Sequence, residues 1–236
     1  MHVSMVPFPL LMKNNSSSTS SQKGIETVLI LDFGSQYAQL IARRVREAGA
    51  FSLLMAPETP IEELQKHNLA GIILSGGPSS ISDEGAPKCD ARLFEIGVPV
   101  LGICYGMQLG CKMLGGSIEG ARAREYGRAT LKVKDASGLL RGIPTDTSVW
   151  MSHGDQVDAV DTNFRVLATT STCPMAAVAH ETIPFYGVQF HPEVTHTPHG
   201  VDLLRNFLYE ICGVKNTWLM SDFMEEQCNS IRSQVG

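Results

Sequence analysis

The chain has 236 residues, enough for one sizeable domain with its own core. Acidic residues outnumber basic ones by 24 to 19, giving a net charge of −5, and no basic patch supplies the electrostatic footprint of a nucleic-acid binder. Apolar residues make up 43%, yet no apolar run approaches the ~18–20 residues of a membrane-spanning helix, and six scattered cysteines without a C-x-x-C pair suit a reducing, cytoplasmic compartment rather than a disulfide scaffold.

Residues 1–26 hold a Ser/Asn/Thr run that cannot support a core, and the short apolar stretch at 6–12 is broken by prolines and lacks a signal-peptide pattern. They are predicted to form a disordered tail. A strand is predicted at 28–31, then a helix at 35–48 whose apolar positions Ala38, Ile41, Ala42 and Val45 recur at three and four before Gly49 ends it. A strand at 51–55, a short helix at 61–66, a strand at 71–74, a helix at 88–96, a strand at 99–103 and a helix at 104–114 follow, the last closed by Gly115 and Gly116. Strands that alternate with helices imply a parallel sheet covered on both faces. Beyond Gly116, runs at 129–133, 147–151, 165–170, 176–180 and 185–190 read as antiparallel or mixed strands added to that sheet, with a returning helix at 199–211. The fold class is therefore α/β, an open, mostly parallel (mixed) sheet with helices on both faces. Such sheets gather their functional groups at strand C-termini. At the end of the chain, Leu219, Phe223, Met224, Cys228, Ile231 and Val235 recur at helical spacing, an apolar stripe that calls for a covering partner. The expected layout is a tail at 1–26, a catalytic domain at 27–213 and a helical extension at 214–236.

One stretch carries chemistry. Gly102-Ile103-Cys104-Tyr105-Gly106 joins a buried strand to a helix, the G-x-[nucleophile]-x-G elbow with cysteine at its apex. Glycines suit so tight a turn, and the helix N-terminus favours a thiolate over a thiol. Downstream, His191-Pro192-Glu193 ends the apolar run at 185–190. In an extended chain residues two apart share a face, so Glu193 is expected to orient His191 as the base of a Cys104–His191–Glu193 set. His196 and His199 lie close by, but no Cys or carboxylate pattern completes a metal site, and none is expected. The loop Ser75-Gly76-Gly77-Pro78 superficially resembles a phosphate loop, but Pro78 removes a backbone donor that an anion cradle would use.

With the elbow and the His-Pro-Glu segment, the chain resembles the class I, triad-type glutamine amidotransferases. Asp32-Phe33-Gly34-Ser35-Gln36-Tyr37, Arg124-Glu125-Tyr126-Gly127-Arg128 and Met151-Ser152-His153-Gly154-Asp155 narrow the resemblance to the branch that serves GMP synthesis. The resemblance implies a flavodoxin-like fold and hydrolysis of L-glutamine through a glutamyl thioester on Cys104. It also implies an oxyanion hole from the backbone N–H groups of Gly77 and Tyr105, and a glutamine pocket formed by Gln108, Ser152, His153, Gly154 and Asp155. The ammonia would pass to an ATP pyrophosphatase (synthetase) domain or subunit that aminates XMP, with ATP and Mg needed only there and no cofactor in this chain. That domain's Ser-Gly-Gly-Val-Asp-Ser loop is not in this sequence, which reads as the amidotransferase part of a longer enzyme. The alternatives are an amidotransferase for another acceptor, in anthranilate, CTP or carbamoyl phosphate synthesis, a stand-alone γ-glutamyl hydrolase, or a catalytically silent regulatory domain.

Overall fold

A computed structural model describes residues 24–215 together with Trp218, Cys228 and Arg232, the side chains of residues 119–124 excepted. Most of the predicted tail and the predicted C-terminal helix lie outside the described residues. In chain order the elements are β1 (Thr27–Leu31), α1 (Ala38–Glu47), β2 (Phe51–Met55), α2 (Ile61–Leu64), β3 (Leu69–Leu74), β4 (Val100–Ile103), α3 (Tyr105–Met113), β5 (Ser117–Val133), β6 (Asp146–Ala159), β7 (Phe164–Thr169), β8 (Ala177–His180), β9 (Phe185–Val188) and α4 (Gly200–Arg205). A π-helical turn, Asn206–Ile211, continues α4.

One sheet runs in the order β2-β1-β3-β4-β9-β8-β7-β5-β6. The segment from β2 to β9 is parallel. From β9 onward, β8, β7, β5 and β6 pair antiparallel. The fold class is the α/β sheet expected, with a larger antiparallel half than the alternating sequence pattern suggested. Its parallel strands are buried on both faces, which is why β1 reads as the unbroken apolar run Thr-Val-Leu-Ile-Leu. Side-chain alternation then divides the interior in two. Val28, Ile30, Ile73 and Leu101 face α1 and α4, where they meet Ile41, Val45, Leu204 and Phe207. Leu29, Leu31, Ile72 and Leu74 face the other way, against Leu64, Tyr105, Met107 and Leu109.

Several elements differ from the sequence expectation, among them β6, which runs over 14 residues rather than 147–151. The helix expected at 88–96 is only a 3₁₀ turn, Ala91–Phe94, because the Asp90 carboxylate accepts the Arg92 N–H and starts a tight turn, and Gly97 at φ +74° follows. The strand expected at 129–133 is the end of the 17-residue β5, which pairs with the whole of β6. Its first half, rich in Gly, Ala and charge, carries no apolar alternation, so only its ladder with β6 defines it. No helix among the described residues is long and apolar enough to cross a membrane.

The strand order reverses around β1, and the loops after β1, β3 and β4 emerge together at the C-terminal edge of the parallel half. This is the switch-point crevice where open α/β sheets hold ligands.

Candidate active site

A cavity of about 590 Å³ opens at that edge. Gly77, Cys104, Tyr105, Gln108, Ser152, His153, Gly154, Asp155 and His191 all line it. Glu193 stands behind His191, almost fully buried.

Cys104 is the turn between β4 and α3, with φ +52° and ψ −107°. Among the described residues it alone of the non-glycines has a positive φ, and a residue so held stores strain of about 1–3 kcal/mol. Its neighbours are glycine for lack of room. A Cβ on Gly106 would sit 2.3 Å from the Leu74 carbonyl oxygen, and one on Gly102 would sit 2.6 Å from the Gly106 backbone. The Cys104 N–H donates to the Val188 carbonyl at 2.8 Å, tying the elbow to β9.

His191 reaches Cys104 from the other side of the crevice. Its ring faces Cys104 across Gly76, and its Nδ1 lies 2.8 Å from Glu193 Oε1. Burial opposes a charged ring here. The bonds to Cys104 and Glu193 and the charges on both outweigh burial, and the imidazole is pushed up to about 10. The pairing does not arise as the sequence suggested. β9 ends at Val188, so His191 and Glu193 lie in a turn rather than on one face of a strand. Thr197 pins that turn: its hydroxyl donates to the His191 carbonyl at 2.7 Å and accepts the Trp150 N–H at 3.0 Å. The Tyr37 ring meets His191 edge-on, centroids 5.6 Å apart.

Gly76 lies between the Cys104 and His191 side chains, where a Cβ would meet His191 Cε1 at 3.2 Å and Cys104 Cβ at 3.7 Å. The next residue, Gly77, is packed so closely on the Phe33 carbonyl that a Cβ there would approach it to 2.7 Å. Among the described residues, neither the Gly77 nor the Tyr105 N–H donates to a backbone carbonyl. Tyr105 opens α3, where helix N–H groups lack intrahelical partners.

The β6 wall is held from behind. Gln108 Nε2 donates to the Asp155 carbonyl at 2.7 Å and to Gln189 Oε1 at 3.3 Å. His153 is buried, with Nδ1 3.0 Å from the same carbonyl and Nε2 3.1 Å from Glu125 Oε2. Burial lowers its affinity for a second proton, against the pull of Glu125. The Thr170 and Thr172 hydroxyls donate to the other oxygen of Glu125. Glu125, His153 and Cys173 bring one ligand-type atom each within 4.8 Å of one another. There the ring and carboxylate bind each other, and burial pushes the Cys173 thiol up to about 12. His196 stacks on Trp150 and His199 pairs with Asp202, so neither histidine converges with His191 on an ion.

Sequence reasoning missed Gln189, Glu125, Thr197 and Tyr37. Gln189 carried a usable signal, since it sits two residues before His191 in the same strand run.

The model of the glutamine amidotransferase class-I family matches residues 29–211. The GMP synthase (glutamine-hydrolyzing) of Ruminiclostridium cellulolyticum is 51% identical over 211 residues, covering 89% of this chain and 41% of that protein. The enzyme of the same name from Geobacillus kaustophilus is 52% identical over the same shares. The chain thus spans about two fifths of the length of these curated relatives. Among solved structures, a Thermoplasma acidophilum protein assigned to GMP synthase as one of its subunits superposes with a TM-score of 0.73 at 30% identity, over 86% of this chain and 98% of that one. A Thermotoga maritima glutamine amidotransferase, 21% identical with a TM-score of 0.65 over 79% of this chain and 98% of that one, shares the fold.

Proposed function

Because this chain belongs to the class-I glutamine amidotransferase family, we propose that it is the glutamine-hydrolysing part of a GMP synthase, with Cys104, His191 and Glu193 as its catalytic triad. The Cys104 thiolate attacks the side-chain carbonyl carbon of L-glutamine. The carbonyl oxygen becomes an oxyanion, bound by the backbone N–H groups of Gly77 and Tyr105, each such donor being worth roughly 10²–10³ in rate. The C–N bond then breaks while protonated His191 gives its proton to the departing nitrogen, leaving ammonia and a glutamyl thioester. Water, deprotonated by His191, adds to the thioester, and the sulfur leaves as glutamate forms. Glu193 holds the imidazole in the orientation that both proton transfers need. Gln108 and the 152–155 stretch of β6 hold the amino-acid end of glutamine.

The observation that carries this reading is the positive φ at Cys104, in one cavity with a His191 ring that is bonded to a buried carboxylate at 2.8 Å. The match to the GMP synthases over two fifths of their length supports the acceptor. Ammonia would pass to an ATP pyrophosphatase domain that aminates ATP-activated XMP, with ATP and Mg held by that domain and no cofactor in this one. On this reading the catalytic domain spans 27–213, preceded by a tail at 1–26 and followed by a linker helix at 214–236, in a cytoplasmic enzyme.

The test is glutamate release from glutamine, measured with and without the synthetase half. Stimulation of about tenfold or more that requires XMP and ATP together is expected. Stimulation by a different acceptor's synthetase would reassign the pathway, and no release under any condition would remove the activity.

A further inference from the structure

Two buried amides connect the Cys104 sulfur to the far wall of the pocket. Gln189, fully buried just beyond β9, has its Nε2 3.6 Å from Cys104 Sγ. A carboxamide has one donating and one accepting end, and its orientation follows from its partners. The Asp155 carbonyl can only accept, so Gln108 must turn its nitrogen toward it. That same nitrogen faces Gln189, which must answer with its oxygen. The Gln189 nitrogen is then left for the sulfur. The chain is anchored at its outer end, where His153 bonds the same Asp155 carbonyl and Glu125 bonds His153.

A carboxamide neither loses nor gains a proton near neutral pH, so it serves as neither acid nor base. What it does is favour negative charge on the atom it faces. We infer that Gln189 is a catalytic residue that donates its side-chain N–H to Cys104 and stabilises the thiolate. The inference rests on the reading of Cys104 as the nucleophile. The donor acts twice, before attack and again when sulfur regains its charge as the thioester is cleaved. The thiolate would then have two donors, the imidazolium from one side and a neutral amide from the other. The titratable groups around the sulfur are His191 with Glu193 behind it and, beyond the β6 wall, His153 with Glu125 and Cys173.

The test reads the sulfur itself: the pH profile of iodoacetamide alkylation at Cys104 in the full chain, with the labelled peptide identified by mass spectrometry. In Gln189→Met the profile is expected to move up by about one pH unit, a tenfold fall in thiolate at neutral pH. In the complete enzyme, kcat for glutamine should fall about tenfold or more while KM stays within about threefold. An unmoved profile overturns the assignment. Gln189→Glu, near-isosteric but unable to donate when ionised, is expected to move the profile further. An unmoved profile there is equally fatal, and this variant decides if the methionine one does not fold. Cys104→Ala separates the two claims. Surviving glutamine hydrolysis in that variant would defeat the nucleophile assignment, whereas the alkylation profile reports on the Gln189 contact regardless.

Discussion

At His191 burial works against a charge that the neighbouring groups favour. Desolvation disfavours an imidazolium, and here it is overcome by two bonded neighbours of opposite tendency. The consequence for stability has a definite sign. The folded-state value lies near 10, above the ordinary 6.5, so the group's contribution is complete below about pH 6.5 and is lost as pH rises toward 10. Wild-type protein should therefore lose stability over pH 6.5–10 relative to His191→Gln, as read by urea denaturation at several pH values. Parallel curves for the two proteins would contradict it. Sequence alone made these residues visible, because G-x-C-x-G and H-P-E are local patterns. It could not show Glu125, bonded to a residue 28 positions away, nor that Gln189 meets a sulfur 85 positions away.

At the scale of elements, close backbone approaches place the site. Gly106 lets α3 lie directly on the end of β3. Gly106→Ala would put a methyl 2.3 Å from the Leu74 carbonyl, which rigid backbone cannot accommodate. The expected cost is about 1–3 kcal/mol in denaturant unfolding, with Cys104 displaced and alkylated on an altered profile. Gly200 plays the matching part at the base of α4. A Cβ there would come 1.8 Å from the Pro192 carbonyl oxygen, between His191 and Glu193. Steady-state kinetics of Gly200→Ala should show kcat lowered by about tenfold or more, although Gly200 does not line the cavity. An alanine enzyme with unchanged kcat would mean the His-Pro-Glu turn tolerates displacement. The elements that the sequence left indistinct were those with weak local signals. The early half of β5 alternates small and charged residues and acquires strand geometry only from β6. The segment after Pro87 has helical composition, but side-chain capping at Asp90 held it to one 3₁₀ turn.

The whole molecule is a mixed sheet whose parallel half carries the chemistry and whose antiparallel half builds one wall of the pocket. β5 and β6 deliver Tyr126 and strand residues 152–155 to the cavity, opposite the loops after β1 and β3. Since the chain covers 41% of its relatives' length, the decisive experiment at this scale belongs to the complete enzyme. Cys104→Ala in that enzyme is expected to lower glutamine-dependent GMP formation by roughly 10³-fold or more while ammonia-dependent formation continues. Loss of both would assign Cys104 a structural part in the assembly.

The sequence by itself determined the α/β alternation and marked Cys104, His191 and Glu193 as candidates, because each signal is written in residues close together along the chain. Only the tertiary structure decided how they meet. It set His191 in a turn pinned by Thr197, gave the antiparallel half its extent, and aimed two buried amides at the sulfur. Those outcomes rest on hydrogen bonds and packing between distant segments, and local sequence pattern holds no record of such partners.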